Sequence, residues 1–416
     1  MFKKFVVLSL LIVGSLIAVP AAVAGSSEFV YVESGVQSPN GNSVFAFERH
    51  SNGTLTQVPG SPFLTGGAGV QETHLVFGPY EGDSSLVVDS NRRLLFAVNS
   101  GSDTIAVFHI NSNGSLKAVE GSPFPSGGTD PVSVAVSRDR LFVANQNGDS
   151  VHLTGPVTEG RTTRLPNYTT FHIASNGSLT PVKGSTVKVA RLSDPVQVLV
   201  APGTNVLFGI DFLGGLVQSF RFDEDGRLQQ NPTATLPDSE FTDPSNGNAP
   251  QVILGAITHP RLPYLYVGEP PINRVGVFKF DYRGHLTFLR SVPNSGQAVC
   301  WFRINRSGTR MYTSNQGFAD TSSISVYDMS DADEPREIQK IDLVGQGNSA
   351  QLELSDDEEN VYIVTQNFNS QIPLDQGKAL HVLSVGHDGL LSETTPVQFH
   401  VPIGSEPQGL AVYSSH

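Results

Sequence analysis

Apolar and polar residues alternate along this chain in short runs, and the runs come in sets of four. "LFAVN" (95–99), "LFVAN" (141–145) and "YLYVGE" (264–269) are rich in Val, Phe and Tyr, as are "TIAVFHI" (104–110) and "VGVFKFD" (275–281). Alternation over five to seven residues, bounded by Gly, Asn, Asp and Pro, is the signature of half-buried strands. No stretch of about a dozen residues carries a helical period. The sets share one order. An apolar strand A ends in a turn such as "SRDR" or "NRSGTR" and strand B follows. Strand C then passes through an Asn-Gly or Asp-Gly type turn into strand D.

The sets are repeats. "SNGTLTQVPGSPFLTGG" (51–67) recurs as "SNGSLKAVEGSPFPSGG" (112–128) and in part as "SNGSLTPVKGS" (175–185), while "TDPVSVAVSR" (129–138) is echoed by "SDPVQVLVAP" (193–202). A period of roughly 50–60 residues with four short strands per unit predicts propeller blades rather than solenoid coils. Strand A is predicted at 84–88, 131–136, 195–200, 253–258, 299–304 and 349–354, with a seventh at 407–412, the extreme C-terminus. The chain begins instead with a B-type strand at 29–34. The sequence therefore predicts an all-β, seven-bladed β-propeller over residues 25–416, in which 407–412 pairs with 29–34 and closes the ring, leaving no open edge.

The N-terminus bears on compartment. Lys3 and Lys4 precede an apolar run, Phe5 to Val19, and Ala22-Val23-Ala24 has the small-x-small pattern of a cleavage site. Residues 1–24 are read as a signal peptide, since about 15 apolar residues fall short of the roughly 20 that span a bilayer. No other segment is apolar enough to cross. Loss of the two lysines moves the formal charge from −13 to −15. An acidic, secreted protein is a poor partner for nucleic acid or anionic lipid. The single cysteine, Cys300, excludes an intramolecular disulfide, so a large core must hold the fold. The protein is expected to be a monomer.

Function is expected on one face. The A-to-B and C-to-D turns are short, whereas the long insertions (66–83, 146–166, 237–250 and 367–377) are all D-to-A or B-to-C connections, which share the opposite face. Strand A is expected to turn Ser85, Ser133, Gln197, Gly255, Trp301, Gln351 and Gly409 into the central channel. The B strands end at the rim with Ser34, Asn99, Asn145, Asp211, Glu269, Asn315 and Thr365. Asp211 and Glu269 come from neighbouring blades. They are the candidate catalytic pair, either sharing a hard cation such as Ca²⁺ or orienting water as general base, with Gln197 and Gln351 in support. Trp301, the only tryptophan, is either a stacking platform or core. His74, close to Glu72 in the first insertion, and Arg161 with Arg164 in the second, are candidate ligand-binding residues, since guanidinium forks suit carboxylates. No nucleophile elbow, paired metal-binding histidines or phosphate loop appears.

The segments "DPVSVAVSRDRLFVANQNGDSV" and "SGTRMYTSNQGFADTSSISVY" resemble the YVTN-type blades of the lactonase-like seven-bladed propellers. That family includes 6-phosphogluconolactonases of the cytosolic type and fungal 3-carboxymuconate cyclases. The resemblance covers essentially the whole mature chain. It implies a hydrolase or cyclase acting on a sugar-acid or dicarboxylate lactone. The 6-phosphogluconolactonase-type relatives carry Arg and His before one strand and Glu after the next. Cys300, Trp301 and Gln316 stand there in "AVCWFRINRSGTRMYTSNQ", which argues against 6-phosphogluconolactonase activity by that route. The other reading is a non-catalytic secreted propeller that binds a protein or glycan through its looped face.

Overall fold

The computed structural model describes residues 27–69, 82–146, 165–191, 193–243, 247–317, 322–345, 347–367, 373, 376–393, 397–398 and 406–415. The expected leader 1–24, most of the insertions 66–83 and 146–166, and with them His74, Arg161 and Arg164, lie outside the described residues.

Seven antiparallel sheets each run in the order A-B-C-D, as blades around one axis. Blade 2, for example, is built from Leu86–Asp89, Leu94–Asn99, Thr104–Ile110 and Leu116–Ala118. In blade 1 the N-terminal strand Glu28–Glu33 takes position B, and the C-terminal strand Leu410–Ser414 takes position A. Their ladder runs from Val32 opposite Leu410 to Glu28 opposite Ser414, and Glu33 N–H donates to Gly409 O at 2.9 Å. The ring is closed as the repeat count requires, by a strand, Leu410–Ser414, that starts three residues later and ends two later than the expected 407–412. Strand A of blade 5 is also shorter than the expected 253–258, covering only Ala256–Thr258. Gly255 interrupts it with φ +69°, and a Cβ there would lie 1.7 Å from Cys300 O. The chain bends where only glycine fits.

The repeated "SNG" turns have a local cause. Asn52, Asn113 and Asn176 each accept, through Oδ1, the backbone N–H two residues on at 3.1–3.2 Å. The following Gly53, Gly114 and Gly177 take the positive φ that the turn demands.

Apolar faces of successive blades pack against one another, and a second repeat joins them. Several B strands carry a tyrosine three residues before the rim position (Tyr31 before Ser34, Tyr266 before Glu269, Tyr312 before Asn315, Tyr362 before Thr365), and its hydroxyl donates to the next blade. Tyr31 reaches Gly114 O at 3.0 Å, Tyr266 reaches Ala332 O at 2.9 Å, and Tyr312 reaches Gly389 O at 3.1 Å. Tyr362 closes the circle onto the Glu28 carboxylate at 2.7 Å. Blades 2 to 4 carry Phe96, Phe142 and Phe208 at this position, packed without the bond. Tyr312→Phe is expected to cost about 1 kcal/mol, and Tyr362→Phe about 1.5–3 kcal/mol because its partner is charged. Urea unfolding of the two variants checks the order, and equal losses would contradict it.

The strand ends that flank all four long insertions lie on one face of the ring. The short turns form the other, where Arg140 and Arg310 clasp backbone carbonyls of the next blade.

Candidate active site in the central channel

Only strand A borders the axis, and its side chains alternate, so every second residue of each A strand points into the channel. Gln197 and Gln351 do so, as expected, but they do not line an open tube. Residues 82–83, just before strand A of blade 2, fill its centre. Gln197 Nε2 donates to Asp83 Oδ2 at 2.8 Å, and Gln351 and Gln408 both donate to Gly82 O, at 2.8 and 2.6 Å. Asp83 N–H bonds Val196 O at 2.9 Å. The segment thus ties blades 1, 2, 4 and 7 together across the axis. Trp301 is buried, in a core cluster with Cys300, Ile253 and Leu254. Among the described residues its indole N–H, Asp83 Oδ1 and Gln351 Oε1 have no hydrogen-bond partner.

Below this plug lies a cavity of about 240 Å³, bordered by Ser84, Leu86, Val88, Arg303, Glu353, Asp356, Ala411 and others, and it approaches the short-turn face. Arg303 Nε meets Glu353 Oε2 at 2.9 Å, with the side chains 15% and 26% exposed, so both remain reachable. The Asp83 carboxylate is fully buried beside them. Burial pushes it up to about 6, with the Arg303 charge opposing the rise. A basic group and two carboxylates therefore converge at the lower channel.

Sequence reasoning missed this trio. Two of its members were open to the period-two argument, since Arg303 and Glu353 each lie two residues beyond an assigned inward position, Trp301 and Gln351. Asp83 was not, because it belongs to an insertion that folds back into the axis.

The B-strand ends behave differently from expectation. Strand B is one step out from the axis, so its terminal side chains enter the interface between blades instead of the mouth. Asn99 turns to Asn42 and Thr65 of blade 1, at 3.0 and 2.6 Å. Asp211 and Glu269 are both fully buried. Asp211 Oδ1 accepts the N–H groups of Asp194 and Gly214 at 2.8 and 3.0 Å. Glu269 Oε1 accepts the Ser291 hydroxyl at 2.7 Å, within its own blade. No hydrogen bond or shared partner links the two, and the structure does not bring them together. Among the described residues no group of three or more His, Cys, Asp or Glu side chains is arranged to hold a metal ion.

A seven-bladed ring closed by its C-terminal strand, with a charged channel, now meets the comparison with known proteins. Residues 38–156 match the family described as Lactonase, 7-bladed beta-propeller. No curated protein matches the sequence. Among solved structures, the chain is similar to a putative 6-phosphogluconolactonase from Bacteroides uniformis, at 13% identity and TM-score 0.66, covering 94% of this chain and 99% of that one. It is also similar to the periplasmic gluconolactonase of Pseudomonas aeruginosa, at 16% identity and TM-score 0.64, covering 92% and 99%. A protein from Lactobacillus plantarum reaches 17% identity and TM-score 0.67, covering 94% and 100%. These likenesses establish the seven-bladed propeller fold.

Within this propeller, Cys300, Trp301 and Gln316 are all buried, at 0%, 2% and 1% exposure. Cys300 Sγ lies 3.0 Å from Ala298 O. The charged groups of the channel are supplied by Asp83, Arg303 and Glu353 instead.

Buried carboxyls also set the pH behaviour. Burial pushes Glu33 and Glu269 up to about 8 and Glu406 up to about 7, from the ordinary 4.5. Each binds its proton more tightly in the folded chain than in the unfolded one. Their stabilising contribution is complete below the unfolded value and is lost as pH rises through about 7 to 8. The melting temperature is expected to fall from about pH 5.5 to about pH 8.5, and Glu269→Gln to flatten the fall. A melting temperature that rises across this range would contradict the assignment.

Proposed function

We propose that the protein hydrolyses a small lactone, such as that of a sugar acid or a dicarboxylic acid, in the lower half of its channel. The observation that carries this reading is the approach of the buried Asp83 carboxylate to the Arg303–Glu353 pair, which borders a cavity of about 240 Å³. Arg303 holds the substrate's carboxylate or carbonyl oxygen, as a planar guanidinium suits. Asp83, with an unshared oxygen and a pKa near neutrality, takes a proton from water as general base. The resulting hydroxide equivalent adds to the lactone carbonyl. The ring C–O bond then breaks, and the leaving alkoxide takes up the proton that Asp83 removed from water. Glu353 holds Arg303 in place. The family match and the gluconolactonase neighbour support the substrate class. The leader-like N-terminus, together with the periplasmic neighbour, supports export, and hence an unphosphorylated substrate.

The test is a panel of aldonic and dicarboxylic lactones offered to the purified mature protein, with spontaneous hydrolysis subtracted. Turnover of at least one that is lost in Asp83→Asn supports the reading. If no lactone in the panel is hydrolysed, the hydrolase reading fails and the non-catalytic binding module takes its place. The plug above the cavity and the burial of Cys300, Trp301 and Gln316 favour that second reading.

A further inference from the structure

The channel does not stop at the cavity below the plug. A second cavity, of about 510 Å³, opens among the A-to-B turns of the short-turn face, bordered by Ser90, Asn91, Arg93, Ser112, Arg306 and residues 413–415. Asp356 borders both cavities. Two innermost strands run from one into the other: residues 86–88 and 411–412 border the inner cavity, and 90–91 and 413–415 continue along the outer one. The outer cavity is therefore the vestibule of the lower channel mouth. It lies against the end of Leu410–Ser414, strand A of blade 1. That strand pairs with Glu28–Glu33 from the other end of the chain, so no short turn joins the two, and the ring of A-to-B turns has a gap there.

The side chains around this gap are uncommitted. Elsewhere on the same face Arg92, Arg140, Arg261 and Arg310 each donate to a backbone carbonyl of the next blade. Arg93 does not. Among the described residues the side chains of Ser90, Asn91, Arg93 and Ser112 make no hydrogen bond or ion pair, and all four are exposed. Charge in the vestibule is nearly balanced, because Arg306 Nη2 meets Asp356 Oδ1 at 3.2 Å and the Arg306 backbone N–H donates to Glu358 Oε1. A lining of hydroxyls, an amide and a planar guanidinium offers both donors and acceptors. It suits sugar hydroxyls, each of which donates and accepts, better than a second carboxylate.

We propose that the substrate is a glycosylated aldonolactone, with its lactone ring in the inner cavity and its sugar unit in the vestibule, where Asn91 and Arg93 bind the sugar hydroxyls. This rests on the lactonase reading above and names the substrate class within it. Size supports the assignment: the vestibule, about 510 Å³, has more than twice the volume of the inner cavity, about 240 Å³, and so admits a unit larger than the lactone ring. Contacts to a sugar remote from the reacting carbonyl supply binding energy that positions the ring against Asp83.

The test compares the 1,5-lactones of gluconic and galactonic acid, each with and without a 4-O-glycosyl group, on the full mature protein. The glycosylated lactones are expected to show kcat/KM about tenfold or more above the plain ones. Arg93→Ala is expected to remove most of that preference, about the worth of a charged hydrogen bond. Arg93 is exposed and unpaired, so its variant should melt like wild type. Calorimetric titration with the disaccharide aldonate, the hydrolysis product, reads the vestibule independently of turnover. Equal kcat/KM for glycosylated and plain lactones would overturn the vestibule assignment and leave the lactonase reading standing. If no lactone is hydrolysed, the lactonase reading fails and the titration decides the vestibule. Binding of the disaccharide aldonate that weakens about tenfold in Arg93→Ala then upholds it as a sugar site, and absent or unchanged binding overturns it.

Discussion

Asp83→Asn is expected to lower kcat for a hydrolysed lactone by about 10²–10⁴-fold, the usual contribution of a positioned general base. The substitution keeps the Gln197 contact within reach, because an amide oxygen can still accept the bond that Gln197 Nε2 gives at 2.8 Å. Folding should therefore survive, and the loss should appear in turnover. The wild-type rate is expected to rise with pH through about 6, where Asp83 ionises. Arg303→Met provides the complement. It removes the guanidinium but keeps an apolar stem, and is expected to raise KM about 10–100-fold, the worth of a lost charged hydrogen bond. Steady-state kinetics of the three proteins across pH decide the matter. A pH profile unchanged in Asp83→Asn would remove Asp83 from the reaction.

Deleting residues 407–416 is expected to abolish the cooperative thermal transition. The deletion strips blade 1 of its innermost strand, with Leu410, Ala411 and Tyr413 at most 5% exposed and a five-residue ladder to Glu28–Val32. Burial of each large side chain is worth about 1.5–3 kcal/mol. The ladder bonds add about 1 kcal/mol each. The sum is comparable with the 5–15 kcal/mol that hold a typical domain folded. The edge of Glu28–Glu33 would also be left open to pairing between molecules. Deleting only His416 is the control and should change nothing. Differential scanning calorimetry that finds the longer deletion melting like the full chain would mean that the ring does not depend on its closure.

Blade number, strand order and ring closure were legible because they depend on local alternation and on repetition, both of which survive in one dimension. The turns at Asn52, Asn113 and Asn176 were legible for the same reason, since their bonds run between residues two apart. The tyrosine ties were written in the "YVGE", "YTSN" and "YIVT" motifs, but their partners lie 66 to 83 residues downstream for Tyr31, Tyr266 and Tyr312. No local signal names such a partner.

The candidate site followed the opposite rule. Asp211 and Glu269 looked like a pair because they end equivalent strands, yet equivalence by repeat is not proximity. Each side chain turns into a different blade interface. Asp83 looked like part of a surface loop, and only the packed ring draws it to the axis, where Gln197, Gln351 and Gln408 converge on residues 82–83 from three blades. The sequence by itself determined the seven-bladed ring and the inward face of strand A, because both follow from periods of two residues and of one blade. Only the tertiary structure decided which charges meet in the channel, because that depends on seven separate strands facing one axis at depths that each sheet's twist and bulges set.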